Sequence, residues 1–219
     1  MSPTPIRALQ LLFIVGAAGL AYSYVASARD GELRKSCTSA CAMAPTYAGA
    51  DRLAPDFELK TVDGKSFRLM EQRGKTVVLV FWSTSCSVCK KQMPGLRELA
   101  SIIALDPRFE MFTIAVDESA PDVLATLQQH TGTQTPFPVA LDPESAVVMD
   151  KYGTKAFPET WIIDPDGIIR ARFDGLRDWS GAMAFDMLRN VSRGSACPMT
   201  VDRSIARGPG AQICREVAR

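Results

Sequence analysis

A continuous apolar run followed by two closely spaced cysteines places the tightest limit on how this chain can fold. Residues 77–82 have the sequence Val-Val-Leu-Val-Phe-Trp, and such a run is typical of a strand that is buried on both faces of a sheet. A short polar stretch then leads to Cys86 and Cys89, after which apolar residues recur at helical spacing. The sequence therefore predicts a buried strand, a short loop and a helix whose first turn carries both cysteines.

The spacing of Cys86 and Cys89 suits thiol–disulfide chemistry. Two cysteines three residues apart on a first helical turn can bond to each other without moving the backbone. The first sulfur then lies at the helix N-terminus, where unpaired N–H groups and the positive end of the helix dipole stabilise a thiolate. Because the thiolate is the nucleophile in disulfide exchange, we expect Cys86 to attack and Cys89 to resolve the product.

A Cys-x-x-Cys pair could also serve a zinc site, a haem attachment or a purely structural disulfide. Zinc needs four ligands, and the remaining cysteines, Cys37, Cys41, Cys197 and Cys214, fall outside the predicted domain. Haem attachment needs a histidine directly after the second cysteine, where this chain has Lys90. The strand–loop–helix setting favours a redox dithiol over a structural disulfide. We expect no metal and no cofactor.

Composition and charge exclude several other classes of protein. Apolar residues make up 47% and charged residues 22% of the 219 residues, which is typical of a globular protein. The chain has 25 Lys and Arg against 24 Asp and Glu, so it lacks the basic excess of nucleic-acid-binding proteins and we expect no nucleic-acid partner. His130 is the single histidine, which excludes a mechanism that needs two imidazoles.

The N-terminal segment indicates a membrane-associated protein. Residues 8–28 are uncharged, and about 20 apolar residues are needed for a helix to cross a bilayer. Residues 1–28 are therefore either a signal anchor or a signal peptide that is cleaved after Ala28. The four additional cysteines indicate an oxidising compartment. We expect a single-pass membrane protein whose main domain is extracytoplasmic, or a periplasmic or secreted protein if the signal is cleaved.

The rest of the chain divides into three parts. Residues 29–52 are small and polar and predict a tether, residues 53–193 form one domain, and residues 194–219 form a tail. Within the domain, a β-hairpin is predicted around the Asp63-Gly64 turn. Strands then alternate with helices and end in a second hairpin and a helix. The pattern predicts an α/β fold with a central mixed sheet flanked by helices.

The four outer cysteines leave their pairing open. Cys37 and Cys41 lie in the predicted tether, and Cys197 and Cys214 lie in the tail. Four cysteines allow three pairings, so they can staple each end separately or clamp both ends to the domain. We expect structural disulfides. The alternatives are a second redox relay through Cys37 and Cys41, or a copper carrier with His130 as the remote ligand.

Three motifs in order resemble one protein family. The segments FWSTSCSVCKKQMPGL, TIAVDES and YGTKAFPETWIIDPDG are similar to those of the membrane-tethered thioredoxin-like proteins TlpA, ResA and DsbE (CcmG), over about residues 53–193. The resemblance implies a thioredoxin-like fold, an extracytoplasmic location and thiol–disulfide oxidoreductase activity. It also implies protein substrates, usually reduced by the enzyme, such as apocytochromes c or copper-delivery proteins, and a membrane electron donor.

The resemblance also assigns residues. It implies that Cys86 and Cys89 are the redox pair, that Pro158 is a cis-proline beside them, and that the Phe157 backbone meets an extended substrate segment. From the residues alone, an ordinary trans proline of a turn is favoured at Pro158 over a cis-proline. We also expect substrate contacts at Trp82 and Glu159.

Three positions depart from the family pattern. Gln92 stands where the family often has a glutamate, Ser85 replaces an aromatic residue, and Val80 stands at the position of the buried acid of cytoplasmic thioredoxins. Glu159 could replace the missing carboxylates as a base. The alternative is that Glu159 is an exposed acid at the end of a strand.

Two other functions remain open from the sequence. A peroxiredoxin-like peroxidase needs a threonine three residues and a proline seven residues before the attacking cysteine, where this chain has Ser83 and Leu79. A module that binds a client or a metal without turnover would also fit the fold.

Overall fold

The computed structural model describes residues 5–117, 119–202 and 205–217. The chain divides into two compact units, of which the first ends at Lys35 and the second begins at Ser36. Helix α1 extends from Pro5 to Ala42. Its part from Leu9 onward is long and apolar enough to cross a membrane, and no residue of its 18-residue apolar window is buried.

The second unit is built on an eight-stranded mixed sheet with the strand order β10-β9-β1-β8-β7-β4-β5-β6. Strands β4, β5 and β6 run parallel, and every other neighbouring pair is antiparallel. Strands β2 and β3 form a separate antiparallel hairpin. The strands are β1 (Tyr47–Ala48), β2 (Glu58–Lys60), β3 (Ser66–Arg68), β4 (Thr76–Trp82), β5 (Phe109–Ala115), β6 (Val139–Leu141), β7 (Glu159–Ile163), β8 (Ile169–Asp174), β9 (Thr200–Asp202) and β10 (Ile205–Arg207).

Four further helices belong to this unit, together with a 3-10 turn and a π-helical segment. The helices are α2 (Ser87–Ile103), α3 (Ala120–Thr131), α4 (Ala182–Ser192) and α5 (Ala211–Val217), the 3-10 turn is Leu69–Gln72 and the π-helical segment is Ala146–Lys151. Local sequence signals explain the ends of α3. The Ser119 hydroxyl accepts a hydrogen bond from the Asp122 amide, and Gly132 ends the helix at φ 77°.

Strand β4 lies at the centre of the core because both of its faces are covered. Val78, Val80 and Trp82 pack with the apolar faces of α2 and α4. The residues between them pack with the β2–β3 hairpin and the π-helical segment. The continuous apolar sequence of β4 follows from this double burial.

The predicted tether and tail require correction. Residues 29–42 continue α1, and the compact unit already begins at Ser36. Residues 47–48 form β1, which pairs with β8 on one side and with β9 on the other. Both ends of the chain therefore extend the central sheet, a pairing that a small, polar composition cannot reveal because it joins segments more than 150 residues apart.

The outer cysteines cross-link the two ends of the chain. Cys37 bonds to Cys197, and Cys41 bonds to Cys214. Because Cys37 and Cys41 are four residues apart on a helix, they lie on the same helix face. Two of the three pairings that the sequence left open join the end of α1 to the C-terminal segment, and the structure has one of these two.

Candidate redox site

Cys86 caps the helix that follows the central strand. Strand β4 ends at Trp82, three polar residues turn the chain, and α2 begins at Ser87 with Cys86 as its N-cap. The Cys86 Sγ accepts a hydrogen bond of 3.0 Å from the Cys89 backbone N–H. The sulfur thus occupies the place that a serine or aspartate oxygen takes in most N-caps.

Cys86 and Cys89 are joined by a disulfide bond, with their Cα atoms 5.2 Å apart. Cys86 is partly exposed, whereas Cys89 is 0% exposed and packs in the core beneath α2. A protein substrate can therefore reach only the Cys86 sulfur. The two sulfurs have the relative positions expected of an attacking and a resolving cysteine.

Asp117 holds the loop that leads to Cys86. Its carboxylate accepts hydrogen bonds from the Thr84 backbone N–H (2.9 Å), the Thr84 hydroxyl (2.6 Å) and the Ser83 hydroxyl (3.2 Å). No role was predicted for Asp117, although it belongs to the TIAVDES motif. The role could have been predicted, because Asp117 follows β5, whose carboxyl end lies beside that of β4 in a parallel pair.

The Phe157–Pro158 segment lies along the same edge of the sheet. The peptide bond between the two residues is cis. Phe81 of β4 pairs with Glu159 of β7, so Pro158 lies beside the chain that leaves β4 at Trp82. The Pro158 carbonyl accepts a hydrogen bond from the Gly175 N–H. Among the described residues, none bonds to the N–H or C=O of Phe157, so that backbone is open to an extended segment.

Comparison with known proteins identifies the family. The model of the AhpC/TSA family matches residues 50–172, which is more than half of the chain. The chain belongs to the AhpC/TSA family.

Named relatives of this AhpC/TSA chain specify the reaction type. The thiol-disulfide oxidoreductase ResA of Geobacillus thermodenitrificans is 33% identical over 130 residues, which cover 59% of this chain and 72% of ResA. The thioredoxin-like protein YneN of Bacillus subtilis is 32% identical over 124 residues, which cover 53% of this chain and 66% of YneN. A crystal structure of a candidate thiol:disulfide interchange protein DsbE from Chlorobium tepidum has a TM-score of 0.57 at 25% identity, covering 66% of this chain and 99% of the other.

These similarities confirm the predicted thioredoxin-like fold and the resemblance to ResA and DsbE. The chain is a thiol–disulfide oxidoreductase of the ResA and DsbE type.

Trp82 does not have the position expected of a substrate contact. Its side chain is 0% exposed, and the indole Nε1 donates a 3.4 Å hydrogen bond to the Thr113 hydroxyl. The indole packs under α2 because alternation along β4 turns residue 82 toward the core. In this AhpC/TSA chain, Trp82 forms the floor beneath the cysteine loop.

Glu159 is also buried, so the alternative of an exposed strand-end acid is wrong. The residue is 6% exposed, and its Oε1 accepts a 2.7 Å hydrogen bond from the Thr154 hydroxyl. Burial raises the pKa of its carboxyl above the ordinary value for glutamate. Because Glu159 pairs directly with Phe81, its side chain lies on the face of the sheet opposite to Trp82 and Cys89. The expected role of Glu159 as a base for the cysteines is therefore not supported by the geometry.

Gln92 lies on the buried face of α2, one turn after Cys89. It is 2% exposed, and neither its amide oxygen nor its amide nitrogen has a hydrogen-bond partner among the described residues. The buried face of α2 thus carries an uncharged amide at the position where the family often has a glutamate.

Proposed function

We propose that this chain is an extracytoplasmic thiol–disulfide oxidoreductase that reduces disulfides of protein substrates through Cys86 and Cys89. The observation that carries the proposal is the position of the Cys86 sulfur, which is partly exposed, caps α2 and lies within bonding distance of the buried Cys89 sulfur.

The reaction begins from the dithiol form of the protein. The Cys86 thiolate attacks one sulfur of a substrate disulfide, the substrate S–S bond breaks, and the other substrate sulfur leaves and takes a proton. Cys89 then loses its proton and attacks the Cys86 sulfur of the mixed disulfide. The second substrate sulfur leaves as a thiol, and the Cys86–Cys89 bond forms. Two electrons pass from the protein to the substrate.

The surroundings of Cys86 favour its thiolate. The Cys89 N–H already points at the sulfur at 3.0 Å, and it would donate to the anion in the reduced protein. The N-terminal end of a helix also stabilises negative charge. Both effects act on Cys86 and leave Cys89 a buried thiol until the mixed disulfide brings an electrophilic sulfur next to it.

The open backbone of Phe157 supports the binding of an extended substrate segment next to Cys86. Such a segment would hydrogen-bond to the Phe157 main chain, as a peptide does when it adds to an exposed strand. The client class implied by the resemblance is an apocytochrome c or a protein of copper delivery.

The N-terminal apolar helix supports a membrane anchor, with the domain that begins at Ser36 on the extracytoplasmic side. A reductant in an oxidising compartment must be reduced again after each turnover. We therefore propose that an electron donor in the membrane reduces the Cys86–Cys89 disulfide.

The test uses the full chain in detergent, treated with limiting dithiothreitol and freed of reductant, after thiol mapping has shown that Cys37–Cys197 and Cys41–Cys214 remain intact. The wild-type protein should reduce the disulfides of oxidised insulin in one stoichiometric turnover. Cys86→Ser should abolish the reaction, and Cys89→Ser should accumulate a mixed disulfide between Cys86 and insulin. Ser101→Ala, an exposed change further along α2, serves as the folded control with unchanged activity.

Two results would contradict the proposal. One is insulin reduction that survives Cys86→Ser, because the reacting sulfur would then lie elsewhere. The other is hydrogen peroxide consumption by the reduced wild-type chain without any reaction toward insulin, which would indicate a peroxidase.

A further inference from the structure

We propose that the Cys41–Cys214 disulfide is a second exchange site, which accepts electrons from a protein dithiol independently of Cys86 and Cys89. The two clamping disulfides share one helix face but lie in different surroundings. One has a fully buried cysteine, Cys37, whereas both cysteines of the other line one cavity.

Cys41 and Cys214 both line a cavity of about 640 Å³. Its wall is mostly apolar and includes Pro45, Met199 and the exposed side chain of Ile205, which is 56% accessible. Both cysteines are partly exposed. A nucleophile carried on an apolar protein segment can therefore reach this disulfide while the domain stays folded.

The Cys37–Cys197 disulfide differs in its accessibility. Cys37 is 0% exposed. Although Cys197 borders a second cavity, the backbone of Gly210 packs against both sulfurs so closely that a Cβ at that position would overlap them. This disulfide is enclosed at Cys37 and partly exposed at Cys197. It holds the two ends of the chain together when the other disulfide opens.

The charges around Cys41–Cys214 indicate which sulfur leaves. Cys41 lies in the last turn of α1, where the negative end of the helix dipole disfavours a thiolate. Cys214 also lies in the last turn of a helix, α5, but that turn carries Arg215, whose positive charge favours a thiolate, whereas the last turn of α1 has no basic residue. Since the sulfur with the lower thiol pKa leaves faster, we expect attack on Cys41 and departure of Cys214.

Contact with a neighbouring sulfur favours the same direction. The Met199 Sδ lies 3.3 Å from the Cys214 Sγ and covers part of it. An incoming thiolate therefore has less access to Cys214 than to Cys41.

The exchange proceeds by two displacements at sulfur. A partner thiolate attacks the Cys41 sulfur, the Cys41–Cys214 bond breaks, and Cys214 leaves as a thiolate that takes a proton. The second thiol of the partner then loses its proton and attacks the partner's first sulfur, the mixed disulfide bond breaks, and Cys41 leaves as a thiolate that takes a proton. The partner ends as a disulfide, and this chain gains two electrons and two protons.

The wall of this cavity is connected to the redox site through one loop. Arg177 donates hydrogen bonds to the Met43 and Ala44 carbonyls on one side and to the Asp174 and Leu176 carbonyls on the other. Within that loop, the Gly175 N–H bonds to the Pro158 carbonyl. Opening the second disulfide would free α5 next to a loop that contacts the cis-proline segment.

The test isolates the second site in a full-length Cys86→Ser/Cys89→Ser chain in detergent, with near-UV circular dichroism to show that it is folded. The probe is a reduced thioredoxin that retains only its nucleophilic cysteine. We expect a mixed disulfide on Cys41, mapped by peptide mass spectrometry, with Cys37–Cys197 intact. Reduced wild-type thioredoxin should instead produce free thiols at Cys41 and Cys214.

Matched variants and a small thiol test the details. Arg215→Gln should slow the exchange roughly 2- to 5-fold, because a positive charge near the leaving thiolate is lost. Arg207→Gln, an exposed change on β10, should leave the rate unchanged. Reduced glutathione should react at least about 10-fold more slowly than thioredoxin, because it has little apolar surface to bury in the cavity.

Three results would overturn the proposal. They are the absence of any adduct on the folded chain, an adduct on Cys214, and opening of Cys37–Cys197 at the same rate as Cys41–Cys214. Because Cys86 and Cys89 are absent from the tested chain, each of these results leaves the proposed function unaffected.

Discussion

Asp117 shows how one carboxylate can position a reactive loop without touching the reacting atoms. Three of its hydrogen bonds end on Ser83 and Thr84, directly before the N-cap that carries the Cys86 sulfur. Each hydrogen bond to a charged group contributes about 1.5–3 kcal/mol to the free energy of unfolding. The loop is therefore held in the conformation that presents Cys86.

Asp117→Asn should keep the shape of the side chain and lose its charge. We expect the free energy of unfolding to fall by about 1–2 kcal/mol and insulin reduction to slow by roughly 3- to 10-fold, since the loop then samples other conformations. Urea denaturation and single-turnover kinetics measure the two effects. Asp150→Asn, at an exposed position, is the control, and equal behaviour of the two variants would refute the role of Asp117.

Glu159 makes stability depend on pH in a defined direction. Because burial raises the pKa of Glu159, the folded protein binds the proton more tightly than the unfolded chain does. This contribution to stability is fully present below the ordinary pKa of glutamate, and it is lost as the pH rises through the raised pKa.

Glu159→Gln removes that titration and can keep the hydrogen bond from Thr154. The variant should therefore gain stability relative to the wild type as the pH rises above the ordinary pKa of glutamate. Thermal denaturation in a pH series that starts below that pKa measures the difference, with the exposed Glu144→Gln as the reference. A difference that stays constant with pH would show that Glu159 does not titrate as proposed.

At the scale of elements, the C-terminal helix α5 depends on a close approach of backbone to sulfur. Gly210 directly precedes α5, and its backbone lies against both sulfurs of Cys37–Cys197. A side chain there has no space, so the packing of the disulfide and the start of the helix are linked.

Gly210→Ala should destabilise the protein by about 1–3 kcal/mol, the usual cost of forcing atoms into a packed site. It should also make Cys37–Cys197 easier to reduce, because the sulfurs must move apart from the new methyl group. Thiol mapping after mild reduction measures this. Gly31→Ala is the matched control, since it lies in α1 with open space around it, and an equal response of both variants would count against the contact.

At the scale of the whole molecule, two disulfides close loops that contain most of the folded chain. Cys37 and Cys197 are separated by 160 residues, and Cys86 and Cys89 by 3. A disulfide stabilises mainly by restricting the unfolded chain, and the effect grows with the length of the closed loop. The clamps and the redox pair should therefore contribute unequally to stability.

Removing the Cys37–Cys197 disulfide with Cys37→Ser/Cys197→Ser should lower the free energy of unfolding by about 2–5 kcal/mol. Cys86→Ser/Cys89→Ser should cost less, because its loop is short. Guanidinium denaturation of the two full-length variants gives the comparison. The reverse order would mean that the redox disulfide carries more of the stability than its loop length allows.

The central strand, the helix that follows it and the chemistry of the two cysteines between them could be predicted from the sequence. These features depend on neighbouring residues, since an apolar run buries itself and a helix N-terminus stabilises whichever sulfur caps it. The order of strands and helices and the three motifs were sufficient for the fold and for the family.

The positions of the more distant groups could not be predicted from the sequence. They include the Cys37–Cys197 and Cys41–Cys214 disulfides, the pairing of both ends of the chain with the sheet, and the contact of Asp117 with the cysteine loop. They also include the burial of Trp82 and the position of Glu159 on the sheet face opposite to Cys89. Each of these outcomes depends on strand register and on contacts between residues far apart in the chain, which local sequence patterns do not encode.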